Sequence, residues 1–225
     1  MSRIRSLLTC LVLALLPMVA FSRAQAADTG WLASVRKGGY VIVIRHGLTT
    51  SDKTDPMANP AKGPAKGAEK GADSMSSMAK KGTGERQLSE EGRAQAKAIG
   101  EAMHKLNIPV GMVMTSPLQR AVDTGTLLGY GSTTTNPDLG ESGPALSPEE
   151  NARRADAMRK LAGQRPADKN LVLVSHKPNI LEAFGKDWSN VTEGEASVFE
   201  PDGKGGHKLI VRVKSDEWNG LQATH

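Results

Sequence analysis

The sequence predicts a single-domain α/β protein, a mostly parallel sheet flanked by helices. Two apolar runs, residues 40–44 and 171–175, lack the alternation of half-exposed strands and suit central strands that are covered on both faces. Helical patterns alternate with the strand patterns along the chain, which favours right-handed crossovers between parallel strands. No repeat interrupts this order, so one domain is expected.

The first 26 residues are typical of a secretory signal peptide. Arg3 and Arg5 form a basic start, residues 7–21 are largely apolar, and residues 24–26 read Ala-Gln-Ala, which fits the small-x-small cleavage pattern. The apolar run is short for a membrane span. We therefore expect cleavage, no stable membrane anchor afterwards, and a periplasmic or secreted location.

Cleavage of this peptide changes the charge and the cysteine content of the chain. The formal charge is +5, and the leader carries three arginines and no acid, so residues 27–225 carry +2. The one cysteine, Cys10, leaves with the leader, which excludes disulfides and cysteine chemistry from the mature chain. Because no basic helix stands out and aromatic residues make up 4%, we expect no nucleic-acid partner.

The domain begins with a short helix and a buried strand. Trp31, Leu32 and Val35 recur at helical spacing, and two glycines at 38 and 39 end the helix. The strand at residues 40–44 follows directly and leads into Arg45-His46-Gly47.

The composition then changes from about residue 51 to residue 85. This segment consists mostly of Lys, Gly, Ala, Ser, Thr, Asp, Pro and Met and has little to bury, so we interpret it as a mobile low-complexity insert. Its methionines are not accompanied by His or Cys, which argues against a soft-metal site.

Two helices and a strand follow the insert. Ser89 is a candidate N-cap for a helix that ends before Pro109, and a strand covers residues 110–114. Ser116 with the following proline suits the start of the next helix, which Gly129 closes. The predicted inward faces of these helices are Ala96, Ile99, Met103 and Leu106, and then Leu118, Ala121, Leu127 and Leu128.

The last part of the chain is predicted to form a helix, a strand, a short helix and a final pair of strands. Residues 131–143 are predicted as a polar loop, and Ser147 caps a helix whose buried stripe is Ala155, Met158 and Leu161. The second apolar strand ends at His176, and a short helix is expected from 179 to 184. Residues 196–199 and 208–213 read as two strands around a glycine-rich turn.

Polar side chains follow three of the predicted strands. Arg45 and His46 follow the first, Ser116 and Arg120 the second, and His176 the third. Ligands of α/β sheets bind beyond the carboxyl ends of the strands, so these groups are expected at one rim. Two arginines and two histidines there favour a dianion, and Arg120 also lies in the first turn of a helix.

The order of these motifs resembles the histidine phosphatase superfamily, the phosphoglycerate mutase-like fold. The resemblance runs from about residue 38 to residue 218. Its motifs are Arg45-His46-Gly47, Leu-Ser-Glu-Glu-Gly at 88–92, Thr-Ser-Pro-Leu-Gln-Arg at 115–120 and Val-Ser-His-Lys-Pro at 174–178.

The resemblance implies a role for each of these side chains. His46 would be the nucleophile that becomes phosphohistidine, with a carbonyl near Gly47 accepting its Nδ1 proton. The phosphoryl group would be bound by Arg45, Thr49, Ser116, Arg120 and His176. No metal or cofactor is expected, because the cationic side chains supply the charge stabilisation.

The general acid/base is less well defined by the sequence. Such an enzyme needs a carboxyl that protonates the leaving alkoxide and then deprotonates a water. Glu141, in the loop after the second helix, is the favoured candidate, with Asp138 nearby. Asp52 and Asp55, further into the loop after Arg-His-Gly, are the alternatives.

These observations predict an exported, metal-independent phosphomonoesterase of the histidine acid phosphatase type, acting on a phosphorylated small molecule. The alternative is a catalytically impaired module of the same fold that binds a phosphorylated ligand. A mutase is disfavoured because no glutamate follows Gly47 and because the protein is expected to be exported.

Overall fold

The computed structural model describes residues 30–50 and 85–221. The predicted signal peptide and residues 51–84 of the predicted insert lie outside the described residues. Among the residues that are described, no helix has the length and apolarity needed to cross a membrane.

A six-stranded sheet forms the centre of the domain. Its strands are β1 (Val41–Arg45), β2 (Val110–Thr115), β3 (Thr133–Thr135), β4 (Asn170–Ser175), β5 (Ala196–Pro201) and β6 (His207–Val213). They are ordered β3-β2-β4-β1-β5-β6. The pairs β2–β3, β2–β4 and β1–β4 are parallel, whereas β5 is antiparallel to both neighbours. The sheet is therefore mostly parallel, as predicted.

In the described part of the chain, five α-helices accompany the sheet. They are α1 (Gly30–Val35), α2 (Glu90–Lys105), α3 (Gln119–Leu127), α4 (Pro148–Ala162) and α5 (Lys177–Phe184), with 3₁₀ turns at Pro137–Leu139, Lys186–Trp188 and Trp218–Gly220. Two predicted caps are confirmed, because Ser89 accepts a hydrogen bond from the Gly92 N–H and Ser147 accepts one from the Glu150 N–H.

The side chains of β1 alternate between two cores, one on each face of the sheet. Ile42 and Ile44 belong to a cluster with residues of α1, α2 and α3, whereas Val41 and Val43 belong to a cluster with residues of α4 and α5. Burial on both faces explains why the strand is apolar without alternation. The single-domain α/β prediction is thus confirmed.

Three local predictions were wrong. The segment predicted as a polar loop contains β3, a three-threonine edge strand parallel to β2. The helix predicted to start at Ser116 is capped instead at Leu118, because the Ser116 hydroxyl accepts from the Leu118 N–H and pairs with His176. α5 begins at Lys177, two residues before the expected start.

Candidate active site

Three parallel strands that lie side by side bring the polar motifs together. β2, β4 and β1 are neighbours, so their carboxyl ends share one edge of the sheet. The Ser116 N–H donates to the Val174 carbonyl at 2.9 Å, and the His46 N–H donates to the Ser175 carbonyl at 3.0 Å. The rings of His46 and His176 consequently lie with their centroids 5.1 Å apart.

His46 is buried and held in one tautomer. Its Nδ1 lies 2.8 Å from the carbonyl oxygen of Gly47, as predicted. A carbonyl can accept but not donate, so Nδ1 carries the proton and Nε2 keeps a lone pair. Burial, followed by the positive charges of Arg120 and Arg45, lowers the pKa of His46 to about 3, so the imidazole is neutral at physiological pH.

The backbone beside His46 is fixed by a buried threonine. Thr124 accepts a hydrogen bond from the Gly47 N–H at 3.0 Å and donates to the Arg120 carbonyl at 2.7 Å. A methyl group built on Gly47 would lie 2.9 Å from the Gly92 carbonyl oxygen, so glycine is needed for this approach of α2. The carbonyl that orients His46 is thereby tied to α3.

His176 is fully buried beside Ser116. Its Nε2 lies 2.7 Å from the Ser116 hydroxyl oxygen. Burial, followed by the charges of neighbouring groups including Arg120, lowers the pKa of His176 well below its ordinary value. The site therefore holds two neutral imidazoles next to cationic guanidinium groups.

The two predicted arginines lie at this rim and are both engaged. Arg45 donates to the Val191 carbonyl at 2.7 Å and forms an ion pair with Glu193. Arg120, with 3% of its side chain exposed, pairs with Glu141. Burial lowers the pKa of both guanidinium groups, although arginine stays protonated at physiological pH.

A family model covers the part of the chain that holds several of these side chains. The model of the histidine phosphatase superfamily (branch 1) matches residues 41–143, which include Arg45-His46-Gly47 and Arg120. Residues 41–143 of the chain are therefore similar to the histidine phosphatase superfamily. This similarity supports a phosphatase- or phosphoglycerate mutase-type enzyme that acts on phosphorylated small molecules.

Solved structures share the fold at low sequence identity. The protein histidine phosphatase SixA, in a complex with tungstate, is 15% identical over 79% of this chain and 98% of its own, with a TM-score of 0.52. A putative alpha-ribazole-5'-P phosphatase from Escherichia coli K-12 is 16% identical over 78% of this chain and 97% of its own, with a TM-score of 0.51. No curated protein gave a significant match.

A third arginine, absent from the sequence prediction, joins the candidate site. Arg86 lies 3.8 Å from a carboxylate oxygen of Glu141, and its charge acts on both His46 and His176. It is the first residue after the predicted insert. Its position two residues before the Leu-Ser-Glu-Glu-Gly motif was the available sequence signal.

The structure separates the candidate acids from one another. Glu141 lies between Arg120 and Arg86 at the rim, with its side chain 32% exposed. The Asp138 carboxylate pairs instead with Arg153 of α4, at 2.7 Å. Asp52 and Asp55 lie outside the described residues.

Two further carboxylates and one predicted donor complete the surroundings. Glu85 and Glu193, which sequence reasoning missed, each contact an arginine of the site. Thr49, predicted as a phosphate donor, forms an isolated antiparallel backbone bridge with Leu88. Within the described residues, no three His, Cys, Asp or Glu side chains cluster as a metal site would require.

Proposed function

We propose that this protein is an exported phosphomonoesterase that hydrolyses a small phosphate ester through a phosphohistidine on His46. The observation that carries the proposal is the hydrogen bond from His46 Nδ1 to the Gly47 carbonyl. It fixes the tautomer whose Nε2 lone pair can attack phosphorus, and burial among arginines keeps that lone pair unprotonated.

The arginines supply the binding energy for a dianion. Arg45, Arg86 and Arg120 surround the two histidines and can donate several N–H groups to phosphoryl oxygens. Such donors stabilise the charge on the equatorial oxygens in the transition state, so no metal is needed for that purpose. His176 would add a hydrogen bond at the same group.

The proposed reaction has two displacements. His46 Nε2 forms a bond to phosphorus while the bond from phosphorus to the ester oxygen breaks, and the leaving alkoxide takes a proton. A water then attacks the phosphoryl group, loses a proton and breaks the phosphorus–nitrogen bond, which regenerates neutral His46. Throughout, the Gly47 carbonyl accepts from Nδ1 and stabilises the ring while it carries positive charge.

Glu141 is the proposed acid and base of these two steps. Of the candidate carboxylates that the structure describes, Glu141 lies at the arginine cluster, whereas Asp138 is held by Arg153. A protonated Glu141 would give its proton to the alkoxide and take one back from the water.

The test of this function is phosphate release from a panel of small phosphomonoesters in the presence of EDTA. The wild type should release phosphate, and His46→Asn, which keeps a donor toward the Gly47 carbonyl, should not. His104→Asn serves as a control, because His104 is an exposed residue of α2. Release by His46→Asn, or loss of release in EDTA alone, would contradict the mechanism.

The acid role of Glu141 is tested with two leaving groups. Glu141→Gln should slow hydrolysis of an alkyl phosphate about 100-fold, because an alkoxide needs a proton to leave. Hydrolysis of 4-nitrophenyl phosphate, whose phenolate leaves without one, should slow much less in the first displacement. The burst of nitrophenolate in a rapid-mixing experiment measures that step, and equal effects on both substrates would exclude Glu141 as the acid.

The alternative of a binding module without turnover is favoured by one observation. Both oxygens of Glu141 face arginines in the structure, Oε2 toward Arg120 and Oε1 toward Arg86, instead of being free for proton transfer. This alternative predicts oxyanion binding by the wild type without phosphate release and without labelling of His46. Labelling without turnover would instead identify an impaired enzyme.

A further inference from the structure

Each arginine of the proposed phosphoryl site faces a carboxylate. Glu193 pairs with Arg45, and Glu141 lies between Arg120 and Arg86. A third carboxylate, Glu85, also reaches Arg120. Among the described residues, three arginines and three glutamates therefore balance in charge before any dianion arrives. Glu85 has no role in the proposed chemistry.

Glu85 binds two donors that an oxyanion would use. One carboxylate oxygen accepts from the Gln119 N–H at 2.6 Å and lies 3.4 Å from Nη1 of Arg120. Gln119 is the first residue of α3, and the helix has no side-chain cap of its own. A free helix N–H beside a guanidinium group is a good site for an anion, and here a carboxylate of the chain occupies it.

The surroundings of Arg120 show that this position is part of the site. Its Nε is buried without a hydrogen-bond partner among the described residues, and 3% of its side chain is exposed. Its Nη1 and Nη2 are both directed at carboxylates. A phosphoryl group that binds Arg120 must therefore displace or share at least one of them.

We propose that Glu85 is a specificity-determining residue that competes with the phosphoryl group for Arg120 and the N-terminus of α3. This inference rests on the proposed function, because it assumes that Arg120 binds the phosphoryl group. Glu85 weakens the binding of free orthophosphate, the product, and so favours its release. When the substrate binds, the contacts of its organic group offset the same competition.

The substitution that isolates this effect is Glu85→Gln. Glutamine keeps the length and an oxygen that can accept from the Gln119 N–H, but it removes the negative charge. The dissociation constants of orthophosphate and tungstate should fall by roughly 3- to 10-fold, the size expected for one partly exposed charge. Glu101→Gln, an exposed residue of α2, makes the same charge change as a control and should leave both constants unchanged.

The measurement is isothermal titration of each protein with orthophosphate and with tungstate, beside product inhibition of turnover by orthophosphate. Glu85→Ala gives a second variant, which also removes the helix contact. Tighter binding by both variants supports competition. Unchanged or weaker binding by Glu85→Gln overturns it and assigns Glu85 to capping α3 and orienting Arg120.

The titration separates this inference from the proposed function because it needs no turnover. Tighter oxyanion binding by Glu85→Gln in a protein that releases no phosphate would support the competition and contradict the phosphatase. Phosphate release that depends on His46, with no gain in oxyanion affinity in Glu85→Gln, would do the reverse.

Discussion

The buried neutral imidazole of His46 should make the protein less stable in acid by an amount that can be measured. Its pKa is about 3 in the folded protein, against an ordinary 6.5. Between these values the unfolded chain binds a proton that the folded protein does not. The free energy of unfolding therefore falls as the pH drops from 6.5 toward 3, and the contribution of His46 is constant above 6.5.

The size of the effect follows from the two pKa values. Each unit of difference is worth about 1.4 kcal/mol, so the full loss, which is reached below pH 3, approaches 5 kcal/mol. At pH 5 the loss from His46 alone is about 2 kcal/mol. The pKa of His176 is lowered for the same reason, so it adds to the loss in the same direction.

The assay is urea denaturation of the wild type and of His46→Asn at pH 7.5 and pH 5, in buffers free of phosphate and other oxyanions. Asparagine does not titrate, so the variant should lose about 2 kcal/mol less than the wild type over this interval. Equal losses in wild type and His46→Asn would show that His46 is solvated or charged, and would refute the neutral nucleophile.

Three further changes test other parts of the structure. Arg120→Lys should lower kcat/KM about 100-fold or more in steady-state assays, because a bidentate fork becomes a point charge; a fall below threefold would contradict its placement. Gly92→Ala places a methyl group 1.9 Å from a carbonyl oxygen of the loop after β1 and should cost about 2–3 kcal/mol in urea denaturation, whereas Gly220→Ala, with open space around it, should cost little. Deletion of residues 60–78 should leave the Tm nearly unchanged if the insert is mobile as predicted from its composition; a large fall would mean that it packs on the domain.

The centre of the fold could be predicted because a strand that is buried on both faces is apolar at every position. β1 and β4 are apolar at every position of their predicted cores, and the structure pairs them in parallel from Val41 with Leu171 to Arg45 with Ser175. Since parallel strands end on the same side, that pairing also accounts for His46 and His176 meeting. The candidate site was visible in the sequence to the extent that it consists of strand ends.

The sequence prediction missed residues and a strand whose local sequence pattern does not indicate their structure. Glu85 and Arg86 follow a low-complexity segment, so no periodicity pointed to them. Glu193 lies in the loop between the 3₁₀ turn at Lys186–Trp188 and β5, and it reaches Arg45 through a tertiary contact alone. β3 consists of three threonines, too short for alternation to show.

At Ser116 a tertiary contact overrides the local pattern that predicts a helix start. A serine followed by proline is a common helix start. Here the hydroxyl lies 2.7 Å from His176 Nε2, and α3 starts after Leu118. The helix that loses its serine cap gains Glu85 at its first N–H. The departure from the local rule thus occurs at the proposed site, where the side chain has a second use.

The carboxylates around the arginines follow from the cost of burying charge. A guanidinium group as enclosed as Arg120 would destabilise the empty protein by several kcal/mol if it had no partner, so the folded state needs Glu141 and Glu85 before a ligand binds. The same glutamates then oppose a dianion at that place. The negative charges of these glutamates therefore stabilise the unliganded protein and weaken the binding of a dianion at Arg120. A site of this kind is expected to bind orthophosphate weakly, and turnover gains from weak product binding when release limits the rate.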